Sequence, residues 1–72
     1  MIDGELKENN FGWHVYSKEK QRILEIKLNS EVEVQIEDEW FKAKILESPR
    51  GLYLRARGLR ICEHLPARIK EA

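Results

Sequence analysis

The sequence predicts an all-β fold, and three observations carry that expectation. Val32, Val34 and Ile36 alternate with Glu31, Glu33 and Gln35, and Phe41, Ala43 and Ile45 alternate with Trp40, Lys42 and Lys44. A period of two is the mark of strands with one face buried and one face wet. Clusters of Asn, Gly, Ser and Pro at positions 9–12 and 48–51 punctuate the chain, and these residues favour turns for distinct steric reasons. Finally, counting outward from a turn at Glu37 and Asp38 sets apolar residues opposite apolar ones and acids opposite bases, an agreement between pattern and pairing that a one-residue slip destroys.

At 72 residues the chain is expected to form one domain spanning 1–72. A chain of that size buries only about 60% of its unfolded surface and has little room for a deep catalytic cleft. Its 42% hydrophobic and 36% charged residues exclude wholesale disorder. Formal net charge is zero, but its distribution is uneven. Residues 1–39 carry ten acids against five bases, net −5, while residues 40–60 carry six bases against one acid, net +5. Positive charge is therefore concentrated where the strand pattern is clearest. Cys62 is the single cysteine, which rules out an internal disulfide and points to a reducing cytoplasm. No export signal and no membrane-length apolar run is present.

Gly4 to Lys7 and Trp13 to Tyr16 read as two strands of a first hairpin, joined through Asn9, Asn10, Phe11 and Gly12. Residues 17–22 form a charged connector. Leu24, Ile26 and Leu28 then alternate with Ile23, Glu25 and Lys27 as an extended segment, although good helix formers over 17–27 keep a helix as the alternative. The Glu37–Asp38 turn pairs Ile36 with Glu39, Gln35 with Trp40, Val34 with Phe41, Glu33 with Lys42, Val32 with Ala43 and Glu31 with Lys44. Ser48, Pro49, Arg50 and Gly51 make the next turn. Its register pairs Ile45 with Leu54 and Ala43 with Ala56 inside. Outside it pairs Leu46 with Tyr53, Lys44 with Arg55 and Lys42 with Arg57. Residues 58–66 lack alternation and are expected to hold a loop and one short helical turn, before Ala67, Arg68 and Ile69 supply a closing strand.

Five strands with unpaired edges are best served by curling into a small barrel. The expected core is Leu6, Val15, Leu28, Val32, Val34, Phe41, Ala43, Ile45, Leu54, Ala56 and Ile69.

The order of features resembles an SH3-like barrel. Leu28, Ser30 and Val32 match its leucine, turn and first-strand valine, and Glu39-Trp40-Phe41-Lys42-Ala43-Lys44 matches its aromatic pair followed by basic-Ala-basic. Gly51-Leu52-Tyr53-Leu54, a helical turn and Ala67-Arg68-Ile69 continue the series. Gly4-Glu5-Leu6-Lys7, Glu39-Trp40 and Ala67-Arg68-Ile69 also resemble an uncharacterised family of small domains of unknown function from Gram-positive bacteria and their mobile elements. The SH3 resemblance implies a ligand-facing Trp40 and an inward Phe41, the orientation that strand alternation gives independently. Leu54 and Arg55 follow Tyr53 where a proline-peptide groove would carry a Pro-Ser-Asn-Tyr-type segment, which argues against polyproline ligands. Tudor-like domains resemble the Trp40 to Lys44 segment too, but the surrounding Lys and Arg would repel a methylated cation.

No catalytic motif is evident, and the function expected is that of a non-catalytic binding module. Trp40, Lys42, Lys44, Tyr53, Arg55 and Arg57 are the candidate partner-binding residues. Two like-charge pairs beside exposed aromatics break the sheet-pairing rule, and such breaks concentrate at functional surfaces. A protein partner with an acidic surface, met by an adaptor or inhibitor, is favoured by the zero net charge and the acidic first half. The alternative is a nucleic acid held by the same aromatics with Lys42, Lys44, Arg50, Arg55, Arg57 and Arg60 on its phosphates. Cys62 and His64 have the spacing of one strand face, yet a buried structural cysteine is the simpler account. With His14 they fall short of a structural zinc set, and Glu37, Asp38 and Glu39 read as a solvated turn. No cofactor, metal, small-molecule substrate or membrane is implied.

Overall fold

The computed structural model describes residues 1–10, 12–62 and 64–70. Nine strands run in chain order as β1 Ile2–Asn9, β2 Gly12–Ser17, β3 Arg22–Glu25, β4 Val32–Ile36, β5 Glu39–Lys42, β6 Lys44–Ser48, β7 Gly51–Ala56, β8 Leu59–Arg60 and β9 Pro66–Ile69. They form two antiparallel sheets, one of six strands in the order β3-β2-β1-β9-β4-β5 and one of three in the order β6-β7-β8. The protein is thus all-β, with no helix among the described residues. In place of five strands closed into a barrel there are nine in two open sheets.

Local chemistry explains most of the hairpins. In the first, Asn9 pairs with Gly12 at the end of the β1–β2 ladder; Phe11 of that connection lies outside the described residues. Glu37 and Asp38 take positive φ angles of 52° and 66°. Two positive values in succession are the signature of a type I′ turn, whose twist suits a hairpin even without glycine. The β4–β5 ladder follows the register expected from sequence, Ile36↔Glu39, Gln35↔Trp40, Val34↔Phe41 and Glu33↔Lys42. So does β6–β7 for Lys44↔Arg55, Ile45↔Leu54 and Leu46↔Tyr53. The expected Ala43–Ala56 and Lys42–Arg57 pairs lie outside this ladder, because Lys42 belongs to β5 opposite Glu33 and Arg57 enters the turn after β7. The Ser48 hydroxyl secures the β6–β7 turn by accepting from the Arg50 N–H at 3.2 Å and donating to the Gly51 carbonyl at 2.9 Å.

Between the last two connections the structure departs from expectation. Arg57 and Gly58 have φ angles of 54° and 75°, a second I′-like pair that turns the chain into β8 instead of a helical turn. Glu63, within the expected helical stretch, lies outside the described residues. Arg22–Glu25 is a strand paired to β2 and not a helix. Its line is continued by the Ile26 N–H donating to the Trp13 carbonyl at 2.9 Å. The Lys27–Ser30 turn then intervenes, with the Ser30 N–H on the Lys27 carbonyl at 3.0 Å and the Lys27 N–H on the Ser30 hydroxyl at 2.8 Å. That turn removes Leu28 from the alternation, so it is 55% exposed and Ile26 occupies the core.

β9 lies between β1 and β4, pairing Gly4↔Ala67 on one side and Val34↔Ala67 on the other. The core beside this strand holds Leu6, Val15, Val32, Val34 and Leu54, all 0–1% exposed. Phe41 and Ile45 are half-buried against this core, while Trp13, Ile61, Ile2 and Ala67 belong to it. The two sheets meet where the Trp13 indole N–H donates to the Leu52 carbonyl at 3.0 Å.

Candidate functional site

The outer surface of the six-stranded sheet is neutralised by its own pairing. Asp3 faces Arg68, Arg68 faces Glu33 and Glu33 faces Lys42, so charges alternate across four strands. Opposite charges in register stabilise a sheet by a few tenths of a kcal/mol each. The Arg68 Nε donates to the Glu33 carboxylate, and its guanidinium lies 4.2 Å from the Trp40 ring centroid. Trp40 is half-buried and engaged within its own sheet.

The strand carrying Trp40 then changes sheets. β5 ends at Lys42 and β6 begins at Lys44; between them Ala43 is buried, with its N–H donating to the Val32 carbonyl at 2.8 Å. A small apolar residue fits this crossing point because its side chain is enclosed where the two sheets converge.

Beyond Ala43 the charge pattern reverses in kind. Lys44 faces Arg55, and Arg55 faces Arg60, placing three exposed cations in one row across all three strands of the second sheet. Among the described residues no carboxylate forms a salt bridge with Lys42, Lys44, Arg55 or Arg60, although Glu33 stands opposite Lys42 in the β4–β5 ladder. Arg55 instead donates through Nη2 to the Gly58 carbonyl at 3.0 Å. Arg60 lies 4.8 Å from the centroid of the Tyr53 ring, which faces Leu46 across the ladder. Arg57 sits at the edge of the same surface, 3.6 Å from the Glu37 carboxylate and 5.5 Å from the Phe41 ring centroid. Lys42, Lys44, Leu46, Arg55, Ala56, Arg57 and Gly58 line a shallow depression of about 380 Å³.

Of the six residues singled out from the sequence, Lys42, Lys44, Arg55 and Arg57 therefore share one depression. Tyr53 lies on the same sheet, and Trp40 belongs to the other. Arg60 completes the cationic row. Its place follows from the Arg57–Gly58 turn, which sets Arg60 opposite Arg55 and which the sequence reading missed. A larger depression of about 590 Å³ runs beside the β3 edge, but Glu25, Lys27, Glu31 and Lys70 around it mix both signs and give it no charge preference.

The remaining reactive side chains are dispersed. Cys62 is exposed and not buried as expected, since it follows the end of β8 outside any strand; the His64 ring nitrogen lies 3.0 Å from the Glu5 carboxylate, and His14 pairs in register with Lys7 and Glu25. Among the described residues no three His, Cys, Asp or Glu side chains cluster in a way that could hold a metal ion. No helix among them is long and apolar enough to cross a membrane. Compared with protein-family models, with curated proteins and with solved structures, the chain matches none.

Proposed function

We propose that this protein is a non-catalytic binding module that holds the acidic surface of a protein partner against its three-stranded sheet, as an adaptor or inhibitor would. The observation that carries this reading is the Lys44–Arg55–Arg60 row. Like charges directly opposite in a sheet are unfavourable, and the row is left uncompensated while cations on the other sheet are matched by acids. An acidic partner would supply the missing counter-charge. Lys42 and Arg57 widen the contact, and Leu46 and Tyr53 provide apolar area of the kind that anchors interfaces.

Protein is favoured over nucleic acid by the state of the aromatics. A single strand would stack bases on Trp40 and Tyr53, but each ring already carries a guanidinium, from Arg68 and from Arg60 respectively. The SH3-like resemblance rests on strand order alone, the run of β4, the β5–β6 strand that changes sheets at Ala43, and β7, with β9 beside β4, in two sheets that do not close into a barrel. A lone, exposed Cys62 supports a reducing, cytoplasmic setting.

The test is fluorescence anisotropy with a labelled oligoglutamate peptide and with labelled single- and double-stranded DNA and RNA, each across a salt series. The expected outcome is micromolar binding of oligoglutamate that weakens with salt and is lost in the Lys42→Ala/Arg55→Ala double variant. Tighter binding of any nucleic acid throughout the series, with a steep salt slope, would replace this reading with the nucleic-acid alternative.

A further inference from the structure

We propose that the depression on the outer face of β6 and β7 is a site for a phosphoryl dianion, so that the partner is recognised through a phosphorylated side chain. This deepens the reading of the three-stranded sheet as the partner-facing surface, and rests on it. Two ammonium groups, Lys42 and Lys44, and two guanidinium groups, Arg55 and Arg57, line the depression together with Leu46, Ala56 and Gly58. No acidic residue lines it. Ala56 belongs to the core and is only 3% exposed, and at Gly58 there is open space where a Cβ would stand, so an anion has room to approach the four cations.

A carboxylate carries one negative charge on two oxygens. A phosphomonoester carries nearly two charges on three acceptor oxygens at neutral pH, and a guanidinium fork meets that geometry with two parallel hydrogen bonds. Four cations around one depression suit the second ligand better than the first. The Gly58 carbonyl already holds the Arg55 guanidinium at 3.0 Å, which lowers the ordering cost of binding. Two acids on neighbouring elements face these cations. Glu33 opposes Lys42 but is engaged by Arg68, and Glu37 lies 3.6 Å from Arg57 with its side chain 82% exposed, free to yield Arg57 to a ligand.

The experiment is a nuclear magnetic resonance titration of the ¹⁵N-labelled full chain with three probes at constant ionic strength. They are a glycine-flanked phosphoserine peptide, its glutamate analogue and a thymidine trinucleotide. The expected result is saturable movement of the Lys44, Arg55, Arg57 and Gly58 amides with the phosphopeptide. Its affinity should be about tenfold above that of the glutamate peptide, and should rise through the second phosphate ionisation near about pH 6. The Lys42→Ala/Arg55→Ala variant, with its fold checked by far-ultraviolet circular dichroism, should lose the effect, and Lys44→Gln should weaken it. Equal affinity for the phosphoserine and glutamate peptides would overturn the phosphoryl site while leaving an acidic protein partner in place. Trinucleotide binding as tight as that of the phosphopeptide, without the pH dependence, would overturn both readings. The absence of saturable shifts with every probe would also overturn the site.

Discussion

Trp13→Phe probes a side-chain hydrogen bond that joins the two sheets, and its cost follows from the geometry of β7. Leu52 lies beyond the reach of β8, whose pairing extends along β7 only through Ala56, Arg55 and the Ile61 N–H on the Leu54 carbonyl at 2.8 Å. The Leu52 carbonyl therefore has no strand partner on that side and is satisfied by the Trp13 indole at 3.0 Å. The indole is part of the core, with the residue 6% exposed. Phenylalanine keeps a ring in place and deletes the N–H. Leaving this part-buried carbonyl without its donor costs about 1–3 kcal/mol, and the space vacated by the smaller ring adds about 1 kcal/mol. The sum, roughly 2–4 kcal/mol, is a large share of the roughly 4–11 kcal/mol that a chain of this length holds in total. Urea denaturation followed by far-ultraviolet circular dichroism should show a lower midpoint with an unchanged slope, and thermal unfolding should begin about 10 °C or more lower. A loss below about 0.5 kcal/mol would refute the argument, because it would mean that water replaces the indole at Leu52 without penalty.

Three further substitutions test separate parts of the reasoning. At Gly4 an added Cβ would lie 2.3 Å from the Tyr16 carbonyl oxygen and 2.9 Å from Val15 Cγ1, so Gly4→Ala should cost about 3 kcal/mol by forcing backbone apart; a urea midpoint close to the parent's would show that β1 and β2 approach less closely. Leu28→Gln should change stability by less than about 0.5 kcal/mol, since the side chain is 55% exposed and fills no core position; a larger loss in the same assay would return Leu28 to the core. Arg55→Glu should raise stability by a few tenths of a kcal/mol by setting opposite charges beside Lys44 and Arg60, while oligoglutamate affinity falls about tenfold or more in the anisotropy titration. A destabilised Arg55→Glu variant would show that the row is not repulsive in the free protein.

Registers were the most legible part of this chain. Around Glu37–Asp38 and Pro49–Arg50 the apolar alternation and the turn positions agree, and a one-residue displacement would expose Val32 and Val34 in β4, or Leu54 and Ala56 in β7. Elements depending on backbone conformation alone were harder to read. Arg57 at φ 54° is unfavourable for a long side chain, and nothing in the local residue types announces it, so β8 and the place of Arg60 were hidden. Core membership failed where a turn interrupted the period of two, as with Leu28 and Ile26, and where a large side chain reached across sheets, as with Trp13. The like-charge pairing of Lys44 with Arg55 was visible from register. The separation of Trp40 from Tyr53 was not, because it depends on the strand changing sheets at Ala43.

That crossing also explains how a chain of zero net charge presents a cationic surface. Lys42 and Lys44 are two apart on one face of a continuous run, yet their neighbours differ in kind. Lys42 pairs with Glu33 in the six-stranded sheet, whereas Lys44 pairs with Arg55 in the other. The nearest acid along β4, Glu31, is taken by Lys70 at 3.5 Å. Continuing the β4–β5 ladder by two residues, past Val32 and Ala43, would set Glu31 against Lys44 and dissolve the row. Because the acidic half of the sequence cancels the field at a distance, and salt screens what remains beyond about 8–10 Å, the proposed ligand of the three-stranded sheet would be held at contact range. Selectivity would then rest on how closely an anion can settle between Lys42, Lys44, Arg55 and Arg57, and not on a general attraction for polyanions.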